Sequence, residues 1–265
     1  MADLSIYQTK YSRASLTRDE LGILEVRLHA DGGPFVWDEP AHRELPQLWR
    51  DIAHDAMNRV VILTGTGDEW CARFDASGWD FATPHGWDKV YGEGKELLQA
   101  YVDIPVPVIC AVNGPVIVHS ELAVMGDVVI ASDNAWFADH GHFVNNMVPG
   151  DGVQIVWRRL LGPNKARYFL LTGQQLSASD ALDAGVVAEV VTPDQLLARA
   201  HEIARQFADK TDLVLRNTRI AINLDLKREL SGDQLGYGLM LEASAAIDLL
   251  SKAGDTVSPH EQHGR

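Results

Sequence analysis

Short runs of aliphatic and β-branched residues recur in the first half of the chain, each closed by Gly, Asn or Asp residues typical of turns. They predict four strands, at Ile23–Leu28, Val60–Thr64, Val108–Val112 and 128–131. Between the strands, segments 41–57 and 87–102 carry apolar residues at the spacing of an amphipathic helix. Strands that alternate with helices predict crossover connections, and therefore a largely parallel sheet in an α/β protein.

After residue 151 the helical period dominates. The predicted helices cover 153–161, 164–171, 177–184, Pro193–Ala208 and 213–250, with one short apolar run at 186–191. Gly232 is expected to divide the last stretch into two helices, because glycine weakens a helix interior. Ser177 followed by Asp180 is typical of a capping box, and Thr192 places a cap residue directly before Pro193.

These patterns predict three parts of the chain. A sheet-containing core covers residues 1–195, a helical region covers 196–250, and a tail covers 251–265. The end of the chain lacks apolar periodicity, so the tail is expected to be flexible. We find no internal repeat that would suggest a solenoid.

The composition is that of a globular protein with a sizeable core, because 46% of the residues are hydrophobic and 23% are charged. A formal net charge of -14 argues against nucleic acid or an anionic membrane as a partner. Cys71 and Cys110 are too few for a disulfide scaffold and lack metal-ligand spacing, which favours a reducing cytoplasm. Neither a secretory signal nor a membrane-spanning apolar stretch is recognisable.

A strand that runs into Asn113-Gly114, followed by a segment beginning Glu-Leu-Ala at Glu121, resembles the signature region of the crotonase (enoyl-CoA hydratase/isomerase) superfamily. Later landmarks of that superfamily match at 148–150, 160–162, 171–173 and 181–187, so the resemblance covers roughly residues 15–250. It implies a crotonase-like spiral of ββα units. It also implies a C-terminal helical region through which subunits form a homotrimer or a dimer of trimers.

Two departures from the superfamily pattern concern the catalytic loops. Consecutive glycines normally let a backbone N–H form part of an oxyanion hole, but here residues 116–120 read Val-Ile-Val-His-Ser. Such a loop cannot approach the substrate as closely, so His119 becomes the replacement donor. His142 stands where hydratases carry one of two catalytic glutamates, and Glu121 corresponds to the other. Syn hydration by the family mechanism is therefore not expected.

Asp151 follows His142 by nine residues, and the resemblance implies that the intervening loop folds the two side chains together. An imidazole oriented by a carboxylate is a competent base for activating water near neutral pH. The sequence therefore favours a histidine-centred hydrolytic site.

The segments around these residues resemble the branch of the superfamily that includes 6-oxocamphor hydrolase: 36–37, 41–42, 83–85, Asp139, 142–143, 148–152 and 242–248. That branch cleaves a bicyclic β-diketone by retro-Claisen hydrolysis, without coenzyme A, metal or other cofactor. Carried over, His142 with Asp151 would activate water, while His119 and the indole N–H of Trp37 would stabilise the oxyanion and the enolate. The product would be a keto acid.

The same resemblance suggests supporting residues. Glu242 and His42 would support the site, and Trp79 replaces a Phe in the wall of the relative's pocket, which indicates a different diketone. Trp37 is equally consistent with a core residue, Glu242 with a solvated helix face or subunit contact, and Glu121 with a helix-start carboxylate. A metal site is disfavoured because its candidate ligands lack a zinc spacing: Asp139, His140, His142 and His119.

Two other functions stay open. A CoA-thioester hydratase or isomerase is one, although segment 71–78 retains only an eroded form of the acyl-CoA turn. A non-catalytic scaffold or RNA-associated subunit is the other; the charge of -14 opposes RNA binding, and the retained His119, His142 and Asp151 oppose an inert role. Serine-hydrolase and nicotinamide-binding motifs are not found in the sequence.

Overall fold

The computed structural model describes residues 3–255, and the side chains of residues 3–252. The strands are β1 Ala14–Arg18, β2 Ile23–Leu28, β3 Val36–Trp37, β4 Val60–Thr64, β5 Arg73–Phe74, β6 Val108–Val112, β7 Val128–Ser132, β8 Trp136–Phe137, β9 Leu176–Ser177 and β10 Glu189–Val191. The helices are α1 Leu4–Tyr7, α2 Glu39–His54, α3 Pro84–Val102, α4 Ser120–Val124, α5 Val153–Thr172, α6 Ala178–Asp183, α7 Pro193–Ala208, α8 Asp212–Ser231 and α9 Asp233–Asp255. Helix α9 includes residues 251–255 of the predicted tail, and residues 256–265 lie outside the described residues.

Six strands form the central sheet in the order β1-β2-β4-β6-β7-β10. Strand β1 pairs antiparallel with β2, and each of the other neighbouring pairs is parallel. The four predicted strands and the largely parallel α/β sheet are confirmed, with the fourth strand one residue longer than predicted. The apolar run at 186–191 supplies the edge strand β10.

The sheet is buried on both faces, which explains why its central strands are apolar at successive positions. Every residue of β4 is buried. Val61 and Leu63 belong to the larger core, whereas Val60 and Ile62 pack with Leu196 of α7 on the opposite face. The alternation follows from the pleat, since successive side chains of a strand point to opposite faces.

Several short elements were not predicted. The two-residue strands β3, β5, β8 and β9 are too short to show a period, and their pairing partners are distant in sequence. Strand β1 pairs with the neighbouring strand β2, but its five residues carry too few apolar side chains to predict a strand. The two-residue strands form two separate pairs, β3-β5 and β8-β9. Among the described helices, none combines the length and the apolar character needed to cross a bilayer.

The predicted helix boundaries agree with the structure to within a few residues. Helix α5 is interrupted at Gly162, whose φ of 73° separates the two predicted helices, and Gly232 separates α8 from α9. Ser177 and Asp180 make both hydrogen bonds of the predicted capping box. Thr192 precedes α7 as predicted, but its side chain makes no capping hydrogen bond.

A buried ion pair attaches the C-terminal helices to the core. Arg219 of α8 is 3% exposed and donates from Nε to Asp127 at 2.8 Å. It also donates to the backbone carbonyl of Val102 at the end of α3, at 2.9 Å. Asp127 in turn accepts the Val108 N–H at the start of β6. This contact fixes α8 against the sheet, and α9 returns from it towards α3.

Candidate active site

The loop that carries His119 is held between two neighbouring segments. The Val116 N–H donates to the Trp136 carbonyl at 2.9 Å, and the Ile117 N–H donates to the Cys71 carbonyl at 2.8 Å. His119 itself adopts the left-handed conformation, with φ 46° and ψ 47°, directly before α4. Residues other than glycine rarely adopt this conformation, and it occurs preferentially at functional sites.

The His119 ring is almost buried and faces acidic groups. Its Nδ1 lies 2.7 Å from Glu121 Oε1 and 3.3 Å from Asp151 Oδ2. Burial opposes protonation, but the carboxylates of Glu121 and Asp151 outweigh it and raise the pKa of His119. The indole of Trp37 packs against the imidazole with ring centroids 3.8 Å apart, so His119 is held between aromatic and acidic contacts.

His142 contacts a different carboxylate through each ring nitrogen. Its Nδ1 lies 2.6 Å from Asp139 Oδ1, and its Nε2 lies 3.4 Å from Asp151 Oδ2 and 4.0 Å from Glu242 Oε1. Burial disfavours the imidazolium, but Asp151 and the hydrogen bond with Asp139 outweigh burial and raise the pKa of His142 well above its ordinary value. The structure thus brings together the predicted pair of His142 and Asp151, and adds Asp139.

Asp151 stands where the two histidines converge. It lies between Gly150 and Gly152, and its Oδ1 accepts the Val153 N–H at 3.2 Å at the start of α5. Burial opposes its ionisation, but His142 and His119 outweigh burial and hold the pKa of this carboxyl below its usual range. Asp151 is therefore the shared anion of the site.

Glu242 reaches this cluster from α9 because two glycine backbones come unusually close. A β-carbon on Gly238 would lie 2.3 Å from the Gly150 carbonyl oxygen, and one on Gly150 would lie 2.2 Å from that of Gly238. Burial, followed by the negative charge of Asp151, raises the pKa of Glu242 to about 8. Its Oε2 is buried without a hydrogen-bond partner among residues 3–252.

Glu121 is fully buried at the start of α4. Burial raises the pKa of its carboxyl, and its Oε2 has no partner within the described part of the chain. Its Oε1 contacts His119 Nδ1, so a proton between these two groups belongs to the pair rather than to either residue.

His42 packs edge-on against two tryptophans, Trp37 and Trp79. The His42 ring is 4.8 Å from Trp79 and 6.0 Å from Trp37, centroid to centroid. Its Nδ1 contacts Glu93 Oε2 at 2.9 Å, a partner on α3 that no sequence pattern indicated. Burial lowers the pKa of His42 despite this contact. Trp79 stacks on Phe81 with centroids 5.0 Å apart, so the neighbouring wall is aromatic.

One group of ligand atoms is close enough for a metal ion among the described residues, namely those of His119, Glu121 and Asp151, which lie within 4.8 Å of one another. The ligand set considered from the sequence is not assembled as such. His140 turns away, and its Nε2 lies 3.2 Å from the Gly173 carbonyl oxygen.

Comparisons with known proteins show the family to which the chain belongs. The profile of the family "Enoyl-CoA hydratase/isomerase" matches residues 36–246. Carnitinyl-CoA dehydratase of Salmonella arizonae is 32% identical over 239 residues, covering 85% of this chain and 89% of that protein. 1,2-Epoxyphenylacetyl-CoA isomerase of Escherichia coli is 29% identical over 230 residues, covering 81% and 87%.

Solved structures share the same fold. A β-diketone hydrolase from the cyanobacterium Anabaena sp. PCC 7120, bound to (S)-3-oxocyclohexyl acetic acid, is 47% identical with a TM-score of 0.90, covering 92% of this chain and 98% of that one. An enoyl-CoA hydratase/isomerase from Mycobacterium paratuberculosis is 23% identical with a TM-score of 0.82, covering 91% and 98%. The crotonase-like fold expected from the sequence is confirmed.

Proposed function

The chain belongs to the enoyl-CoA hydratase/isomerase family, and within it we propose a hydrolase that cleaves a carbon–carbon bond of a cyclic β-diketone. One observation carries the proposal: His142, at a position where hydratases use a glutamate, contacts Asp139 and Asp151 in a buried site next to His119. This arrangement offers a base for water and a donor for an oxyanion. It lacks the pair of glutamates that hydration requires.

In the first step, neutral His142 takes a proton from water on Nε2, and the resulting hydroxyl adds to one carbonyl carbon. His119 donates to the oxygen that becomes negative, and Asp151, which contacts both imidazoles, stabilises the positive charge on them. The carbonyl becomes a tetrahedral adduct.

In the second step, the bond between the adduct carbon and the carbon flanked by both carbonyls breaks. Its electron pair forms the enolate of the remaining ketone, and the adduct becomes a carboxylic acid. The indole N–H of Trp37, which packs on His119, is the second candidate donor for the enolate oxygen.

In the third step, the enolate carbon takes a proton. Glu242 is suited to this role because its raised pKa, about 8, keeps it protonated at neutral pH. His142 Nε2, 4.0 Å from Glu242 Oε1, then returns the proton that it took from water. The sum is one diketone and one water converted into one keto acid.

The chemical class of the substrate follows from the same reasoning. The keto acid bound to the Anabaena protein is the kind of product that hydrolysis of a bicyclic β-diketone yields, if both carbonyls flank one bridgehead carbon. Here Trp37 packs against His119, and His42, whose pKa is lowered by burial, links Trp37 to Trp79; these largely apolar rings suit an uncharged, compact substrate ring. No cofactor is needed for these steps.

The second candidate is a CoA-thioester hydratase or isomerase, because the curated relatives at about one-third identity are named for CoA compounds. The basic residue in segment 71–78 that would meet the nucleotide, Arg73, is instead paired with Glu69 at 2.7 Å. The histidine at position 142 also opposes this function.

We also propose self-assembly through the C-terminal helices into a trimer or a dimer of trimers. Helices α8 and α9 expose several apolar side chains in the single chain: Leu213, Val214, Ile220, Ile222, Tyr237 and Met240. A soluble protein rarely leaves such a surface uncovered. Light scattering after size-exclusion chromatography should give three or six times the mass of the chain; a monomer would contradict the proposal.

The central experiment offers metal-free protein a panel of bicyclic and monocyclic β-diketones, and crotonyl-CoA in parallel. We expect diketone loss with formation of keto acid, abolished in His142→Ala and retained in His54→Ala, a matched histidine on the exposed end of α2. Hydration of crotonyl-CoA with the diketones intact would establish the second candidate instead.

A further inference from the structure

Asp139 contacts His142 at Nδ1, the ring nitrogen that takes no part in the proposed proton transfers. Its side chain is 2% exposed, and its Oδ1 lies 2.6 Å from His142 Nδ1. Its Oδ2 is buried with no hydrogen-bond partner in the described part of the chain. Burying a carboxylate with few partners is costly, so the contact with His142 is the interaction that stabilises the Asp139 side chain in this position.

We propose that Asp139 is the positioning residue of the site: it accepts the Nδ1 proton of His142, and so leaves Nε2, which lies beside Asp151, as the nitrogen that takes the proton from water. This inference rests on the proposed hydrolase function, which it deepens. It assigns different tasks to the two carboxylates that flank His142.

The backbone around Asp139 is rigid enough for this task. The Ala138 N–H donates to the Val116 carbonyl at 2.9 Å, and the His140 N–H donates to the Ile117 carbonyl at 3.1 Å. Asp139 is therefore held, on both sides, to the loop that leads into His119. The residue that orients the base and the residue that binds the oxyanion share one frame, which preserves the distance between them.

The distances separate Asp139 from Asp151. Asp139 contacts one imidazole at 2.6 Å, whereas Asp151 lies at 3.3 Å from His119 and 3.4 Å from His142. Asp151 is shared between two imidazoles at longer distances, so it can replace its contact with His142 by one with water. The shorter contact between Asp139 and His142 Nδ1 then persists. In neutral His142 the remaining proton then stays on Nδ1, and Nε2 keeps its lone pair for water.

The test compares Asp139→Asn and Asp139→Glu with Asp133→Asn, an exposed aspartate in the turn after β7. Asn retains the shape but removes the charge, and its amide can donate to Nδ1, which favours the wrong tautomer. We expect kcat to fall by about 10²-fold or more, with KM changed by less than about threefold. Asp133→Asn should match the wild type.

A second readout does not depend on turnover. Nuclear magnetic resonance of ¹³C-labelled histidine, with His142→Asn for assignment, follows the protonation of His142. The charged or titratable groups facing it are Asp139, Asp151 and Glu242, with His119 beyond Asp151. Asp139→Asn should lower the pH at which His142 titrates. Asp139→Glu should return that pH most of the way to the wild-type value but recover only part of the wild-type kcat.

Unchanged titration of His142 and unchanged kcat in Asp139→Asn would overturn the assignment. If that variant does not fold, as judged by circular dichroism, Asp139→Glu decides, because wild-type kcat there would show that geometry at Nδ1 is unimportant. If the wild type hydrolyses no diketone, the proposed function fails, but the histidine titration still decides whether Asp139 controls His142.

Discussion

Glu242 should make the protein less stable as the pH rises, and Glu242→Gln should remove that part of the pH dependence. Burial raises the pKa of Glu242 in the folded chain from 4.5 to about 8, whereas in the unfolded chain the group keeps its ordinary value. The folded state therefore binds the proton more tightly. The resulting stability is present below the unfolded pKa and is lost as the pH rises through the folded pKa.

The magnitude follows from the same values. At about pH 6 the pH is about two units below the pKa of Glu242 in the folded chain, and each unit corresponds to about 1.4 kcal/mol of stability. By about pH 9 the contribution has nearly vanished. Because the side chain is 15% exposed and acts beside other charges, we expect a loss of about 1–3 kcal/mol, or about 2–10 °C in Tm.

Glutamine has nearly the same shape and no charge, so the variant should approach the wild type at acidic pH and exceed its stability at alkaline pH. Denaturation by urea at several pH values, at one protein concentration, measures the difference in slope. His119, His142 and Glu121 also have raised pKa values and act in the same direction, so the contribution of Glu242 is taken as the difference between wild type and variant, which includes its effect on these neighbours. Equal slopes for the two proteins would refute the reasoning. The control Glu202→Gln, on the exposed side of α7, should leave the dependence of stability on pH as it is in the wild type.

Three further predictions concern packing and pH. Gly238→Ala should lower the free energy of unfolding by about 1–3 kcal/mol, because the new methyl would overlap the Gly150 carbonyl. Gly92→Ala lies on an open helix face and should raise the free energy of unfolding by up to about 1 kcal/mol in the same urea experiment. Arg219→Met should cost about 3–5 kcal/mol, because it removes the cationic partner of the Asp127 carboxylate and leaves only neutral hydrogen-bond donors; a cost below about 1 kcal/mol would contradict a buried ion pair. The rate of diketone hydrolysis should increase as the pH rises through the raised pKa of His142, because only the neutral imidazole accepts a proton. A value of kcat/KM that is flat or falling between about pH 6 and 8 would count against His142 as the base.

The residues proposed as catalytic could be selected from the sequence where a family pattern marks them. His119 and His142 stand at loop positions that the superfamily pattern marks, and the structure places both around Asp151. Asp139 was named from the sequence as part of the family resemblance and as a metal-ligand candidate, but not as a partner of His142, because a spacing of three residues has no meaning outside a known loop conformation. Glu93 carried no signal, since α2 and α3 bring it to His42 across 51 positions of the chain.

The sequence by itself determined the parallel sheet, the helical second half and the family, because strand and helix periods are local properties and the family landmarks lie in short segments. Only the tertiary structure decided which carboxylate meets which imidazole nitrogen, and which groups are buried. Those contacts depend on backbone approaches between distant segments, such as Gly150 with Gly238. The tertiary structure also decided which of these groups are protonated, because the pKa of a buried group is set by its neighbours in space rather than in sequence.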